Sequence, residues 1–168
     1  MSIFPTKILL AADGSEEARL ALRAAVDLAE RTSSELHVVT VRRTHPVGAY
    51  EIYNEEVTEG LRRQAQTLLD EQVKKIKEDG MRVAGAHHKV SDRPDEAIVQ
   101  LSEELGAGLI VMGSRGRGGL RRALMGSVSD SVVLHAHCPV LVVRPDKSVD
   151  EHTRSWRGML AGRSENPG

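Results

Sequence analysis

The sequence predicts an open α/β protein: a single parallel sheet of five strands with helices on both faces. Three observations carry that expectation. Short apolar runs rich in Val, Ile and Leu alternate with longer segments whose apolar residues recur at helical spacing, the pattern of successive βαβ units. Apolar residues make up 40% of the chain and aromatic ones only 2%, a composition that suits buried parallel strands under Ala- and Leu-rich helices. At 168 residues the chain has the size of one ordinary domain with one core.

Thr6 to Ala12 reads as the first buried strand. Ser15 is placed to cap the helix that follows, and Glu16 and Glu17 in its first turn complement the helix dipole. Ala18, Ala21, Leu22, Ala25, Val26, Leu28 and Ala29 recur at helical spacing in that helix, with Arg19, Arg23, Asp27 and Glu30 largely on the other side. The second strand runs from Glu35 to Arg42. Thr44 to Tyr53 has no clear period and holds Pro46 and Gly48, so a loop is expected. A long helix from about Asn54 to Asp79 carries Val57, Leu61, Ala65, Leu68, Leu69, Val73 and Ile76 on one face and stops at Gly80. Met81 to Val90 is a weaker third strand because it contains Gly85 and the pair His87-His88. Ser91-Asp92-Arg93-Pro94-Asp95 starts a third helix, since proline is tolerated in a first turn and carboxylates favour that end. This helix ends at Gly106. Leu109 to Met112 is strand four, a helix from about Gly126 to His135 follows, and Val140 to Val143 is strand five. Residues 1–145 form the expected domain, and residues 146–168 a tail, partly disordered or a short helix formed around Val149, Trp156, Met159 and Leu160.

Composition excludes several function classes. A formal net charge of −1 gives no support for nucleic-acid or membrane-surface binding. No apolar run approaches the roughly 20 residues of a membrane span, and the first residues do not resemble a signal peptide. The single cysteine, Cys138, rules out an intramolecular disulfide and suits a reducing compartment, so a cytoplasmic location is expected. Cys138 itself reads as a small packing side chain rather than a reactive thiol.

The stretch from Gly113 to Ser127, GSRGRGGLRRALMGS, carries most of the functional information. Its glycines allow backbone N–H groups to approach an anion, Arg115, Arg117, Arg121 and Arg122 add positive charge, and no Asp or Glu repels it. A helix N-terminus follows, which adds the positive end of a dipole. The spacing fits neither a Walker A loop nor a dinucleotide GxGxxG fingerprint. Gly113, two residues, Gly116, nine residues, Gly126 and Ser127 instead resemble the ATP-binding branch of the universal stress protein family. Ala12-Asp13-Gly14-Ser15, Ile110-Val111-Met112-Gly113-Ser114 and the segment His137 to Val143 extend the resemblance from about Thr6 to Arg144.

The resemblance implies a strand order of 3-2-1-4-5, an adenine nucleotide alpha hydrolase-like fold, and a ligand crevice at the switch point between strands one and four. It assigns Asp13 to ribose hydroxyls, and Ala12 and Val41 to the adenine. Gly113, Gly116, Gly126, Ser127 and Val128 match phosphate-contacting positions, with Ser129 one turn further on and Arg115 as a phosphate clamp. Met112 borders the loop and, with Met125, reads chiefly as packing. The implied ligand is ATP, with AMP or cyclic AMP as alternatives and any Mg²⁺ held mainly by the phosphates.

No catalytic residue is expected, because the loop offers no base or water-positioning group near a terminal phosphate. The function implied is a nucleotide-dependent regulatory or stress-response module. A slow ATP hydrolase or phosphotransferase, or a nucleotide-free dimeric interaction module, is the alternative. No metal site is expected either: His87 and His88 are adjacent in a strand and face opposite ways. His135 and His137 sit where a cation complements a helix C-terminus. Strand five, Val140, Leu141, Val142 and Val143, ends the sheet with an apolar edge, and relatives of this type pair that strand with its twin, so a homodimer is expected.

Overall fold

The computed structural model describes residues 7–44, 55–78, 80, 82–116 and 125–145. Five parallel strands stand in the order β3-β2-β1-β4-β5. They are β1 (Lys7–Ala11), β2 (Glu35–Arg43), β3 (Val83–Ser91), β4 (Leu109–Gly113) and β5 (Val140–Val143), joined by α1 (Glu16–Thr32), α2 (Glu55–Glu78), α3 (Pro94–Leu105) and α4 (Ser127–His135).

Because successive strand side chains alternate between faces, each central strand supplies both halves of the core. Ile8, Leu10, Leu36, Val38 and Val111 pack with Ala21, Leu22, Ala25, Val26 and Ala29 of α1 and Leu69 and Ile76 of α2. Leu9, Val39, Ile110 and Met112 pack on the opposite face with Ile98 and Leu101 of α3 and Val132 of α4. Each large side chain buried this way contributes about 1.5–3 kcal/mol, which is why strands without aromatic residues suffice. The described helices include none long and apolar enough to cross a membrane.

Local chemistry sets the boundaries. Ser15 caps α1, its Oγ accepting from Ala18 N–H at 3.1 Å. Pro94 occupies the first turn of α3, and Gly106 takes a left-handed φ of 63° at its end. Ser33 does the same for α1 at φ 54°, without a glycine to announce it. The third strand begins at Val83 and extends through Ser91, later than its glycine and histidine content suggests, because it pairs with β2 as far as Arg43. The expected loop beyond Thr44, Arg117, Arg121 and Arg122, and the tail after Pro145 lie outside the described residues.

Candidate functional site

The carboxyl ends of β1 and β4 lie side by side, with Ala11 opposite Met112. After β1, Ala12 is buried and its N–H donates to the Val39 carbonyl at 2.9 Å. Asp13 then opens the turn into α1, its Oδ1 accepting from Ser15 N–H at 3.0 Å. Gly14 completes the turn at φ 78°, in a conformation L side chains rarely adopt. The other carboxylate oxygen of Asp13 faces the loop after β4: a Cβ added to Gly116 would lie 2.5 Å from Oδ2. Two positions a hundred residues apart in sequence thus meet, and glycine is what lets them meet.

The loop is anchored at both ends of residues 117–124, which lie outside the described set. Ser114 is buried and its N–H donates to Val143 at 2.8 Å; its carbonyl accepts from Gly126 N–H at 2.7 Å. The Ser129 hydroxyl shares its proton between the carbonyls of Ser114 and Gly126, at 2.9 and 3.0 Å, so its role in the structure is to fasten the loop base. Gly126 is the N-cap of α4 and provides no side-chain cap, leaving the amides of the first turn without that partner. Ser127 beside it is exposed, Val128 half-buried. A helix start without a side-chain cap suits an anion.

Gly113 is required for a different reason. A Cβ there would come within 2.8 Å of the Glu17 backbone carbon, so the first turn of α1 rests directly on the end of β4. Across that contact Arg115 pairs with Glu17 at 3.2 Å, both side chains mostly covered, and the Arg115 carbonyl lies 3.4 Å from the Ser15 hydroxyl that donates to it. Met112 is buried and packs with the second half of the core, where Val41 and Val128 lie at the margin. All the named positions from Ala12 to Ser129 therefore lie at this end of the sheet, Val41 near the carboxyl end of β2.

Sequence reasoning missed three pairings. Glu17 as the partner of Arg115 was hidden because the two are 98 positions apart. Ser131 Oγ donates to Asp95 Oδ2 at 2.7 Å, tying α4 to the start of α3. Burial pushes the Asp95 carboxyl up, but the Ser131 hydrogen bond, backbone donors and Arg93 outweigh it, and the net shift is downward. His87 stands against His37 of β2, with Nε2 3.4 Å from His37 Nδ1 and the rings stacked. Burial lowers the His87 pKa, assisted by His37 and Lys89 and opposed by Glu104. Among the described residues no group of three or more His, Cys, Asp or Glu is gathered as a metal cage. His135 Nδ1 sits 2.8 Å from the Ser131 carbonyl, as expected of a histidine at a helix end.

A 3-2-1-4-5 parallel sheet with helices around it defines a Rossmann-like α/β protein, and its candidate site is the crevice beyond the ends of β1 and β4. Residues 5–144 match the universal stress protein family, and the chain belongs to it. A Staphylococcus haemolyticus protein whose name assigns it to the universal stress proteins is 35% identical over 144 residues, covering 83% of this chain and 85% of that one. The solved structure of the hypothetical protein MJ0577 is 29% identical with a TM-score of 0.74, covering 85% of this chain and 98% of that one. That of the universal stress protein from Archaeoglobus fulgidus in complex with dAMP is 26% identical with a TM-score of 0.59, covering 84% and 99%.

Proposed function

We propose that the protein binds an adenine nucleotide, ATP first with AMP and cyclic AMP as the other ligands, and acts as a nucleotide-dependent regulatory module of the stress-response type. The observation that carries this reading is the approach of Gly116 to Asp13 Oδ2 beside the uncapped start of α4. A sugar hydroxyl can donate to the carboxylate while phosphate oxygens accept from the amides of Gly126, Ser127 and Val128. The dAMP complex of the Archaeoglobus relative supports adenine and a 5′-phosphate as the shared chemistry.

Arg115 then has two partners to choose between. Its pair with Glu17 is a single contact at 3.2 Å between mostly covered side chains, one carboxylate oxygen on one guanidinium nitrogen. A triphosphate offers the same guanidinium several oxygens and a larger negative charge, so in this reading Arg115 turns from Glu17 to the phosphates when nucleotide is bound. Mg²⁺, which keeps most of its waters and favours phosphate oxygens, is held by the nucleotide in this reading. A reducing, cytoplasmic setting belongs to the same reading, supported by the lone Cys138.

The proposal includes a homodimer through β5. Leu141 of this edge strand is 37% exposed, and Val133 and Leu134 of the preceding helix are 44% and 72% exposed. A twin strand across a two-fold axis satisfies the backbone groups of both edges and covers these side chains.

The direct test of the site is calorimetry with ATP, AMP and cyclic AMP on the wild type and on Gly116→Asp. The variant places a side chain and a negative charge against Asp13, and heat of binding is expected for the wild type alone. Equal binding by both proteins would remove the loop from the site.

A further inference from the structure

Among the described residues, every other ion pair of an arginine or lysine joins residues no more than four positions apart and leaves the cationic side chain more than half exposed. The pair of Arg115 with Glu17 differs on both counts: it ties the loop after β4 to the first turn of α1, and its side chains are 22% and 15% exposed. Glycine makes the tie possible. A Cβ added to Gly113 would lie 2.8 Å from Glu17 Cβ, so the bare backbone admits the acidic side chain to the base of the loop. The Ser15 hydroxyl, 3.4 Å from the Arg115 carbonyl, holds the arginine backbone to the same end of α1. Gly116, the next residue, approaches Asp13 Oδ2. A carboxylate oxygen therefore sits on the guanidinium where the nucleotide reading requires a phosphate oxygen.

We propose that Glu17 is a specificity-determining residue: an internal rival of the distal phosphates for Arg115, through which the crevice distinguishes ATP from AMP. The inference rests on the nucleotide reading above. A monophosphate held by the amides of Gly126, Ser127 and Val128 leaves Arg115 with Glu17. A triphosphate takes the guanidinium, with more oxygens and more charge than one carboxylate, and must break the covered pair to do so. Glu17 thus subtracts from the affinity for ATP and not from that for AMP, which narrows the gap between them; specificity is that difference. The two ligands also leave two different molecules, one with the loop tied to α1 and one with the tie open. A ligand shifts a protein between states only through such a difference in contacts, so ATP and AMP send different signals from one site. The Arg115 carbonyl stays with Ser15 in both states, and the exchange is a swing of one side chain. Glu16, the preceding carboxylate, is exposed, lies 3.9 Å from Arg19 and takes no part.

The test is calorimetry of ATP and AMP, with Mg²⁺ and ionic strength fixed, on the wild type, Glu17→Gln and Glu16→Gln. Glu17→Gln is expected to bind ATP more tightly by on the order of 10-fold, the scale of one charged hydrogen bond, and to bind AMP as the wild type does. Glu16→Gln removes the same charge from the same turn and is expected to match the wild type with both ligands. Circular dichroism checks the fold of the variants, and a measurement on the wild type itself stands beside them. The Nε–H resonance of Arg115 in NMR, assigned by its absence from Arg115→Lys, should move with ATP and hold its place with AMP. ATP binding unchanged or weakened in Glu17→Gln, AMP tightened as much as ATP, or an Arg115 resonance that both ligands move alike would overturn the inference and leave the nucleotide reading standing. Failure of the wild type and Glu17→Gln alike to bind either nucleotide would overturn both.

Discussion

Asp13 serves two neighbours at once: Oδ1 holds the Ser15 amide at 3.0 Å while Oδ2 faces Gly116. Asp13→Ala therefore separates sugar recognition from turn geometry. Loss of the acceptor is expected to weaken ATP and AMP by about 1–3 kcal/mol and to leave inorganic phosphate binding nearly unchanged. Equal weakening of all three in calorimetry would show that the carboxylate acts through the turn. His87 offers a second residue-level prediction. Its lowered pKa arises from burial first, then from His37 and Lys89, so the unfolded chain binds the proton more readily than the folded one. Stability from this group is full above the unfolded pKa near 6.5 and is lost as pH falls through and below it. In metal-free buffer Tm should fall more between pH 7.5 and 5.5 for the wild type than for His87→Gln; matching profiles would contradict the assignment.

At the scale of elements, the strands were legible because a parallel strand covered on both faces reads as a short unbroken apolar run, and the helices because one covered face repeats at helical spacing. Ser15, Pro94 and Gly106 marked helix ends through cap and φ chemistry that a single residue type carries. Ser33 did not, because a left-handed serine has no composition signal, and the β2–β3 bulge was equally silent: register is a relation between strands, not a property of either. The candidate site was legible where glycine and aspartate mark it, but not in the pairing of Arg115 with Glu17, which depends on how α1 lies across β4. Gly113→Ala tests that packing. Its Cβ would press on the Glu17 backbone at 2.8 Å, where no flexible side chain can yield, and a loss on the order of 1–3 kcal/mol is expected in chemical denaturation. On the neighbouring edge strand, Val142→Lys in β5 should convert a dimer into a monomer in light scattering, with the fold intact by circular dichroism. A wild type that is already monomeric would withdraw the β5 interface.

For the whole molecule, the order β3-β2-β1-β4-β5 places the two signals farthest apart in the sequence at one switch point, and the loop joins them. The strand order itself rested on the resemblance, since periodicity carries no information about which strands are neighbours. The loop base is fastened to β5 through Ser114 and to α4 through Gly126 and Ser129, so a nucleotide held there as proposed would be coupled to the fold. Binding to the folded state alone must then raise its stability. The most direct measurement is thermal unfolding of the wild type against ATP concentration, with the dissociation constant fixed by calorimetry. At about 100 times that constant the gain is about 2.7 kcal/mol, or roughly 5–10 °C in a domain of this size. A Tm that rises by this amount, and does not rise in Gly116→Asp, is the predicted result; a Tm unmoved by millimolar ATP, AMP and cyclic AMP alike would contradict nucleotide binding at this site.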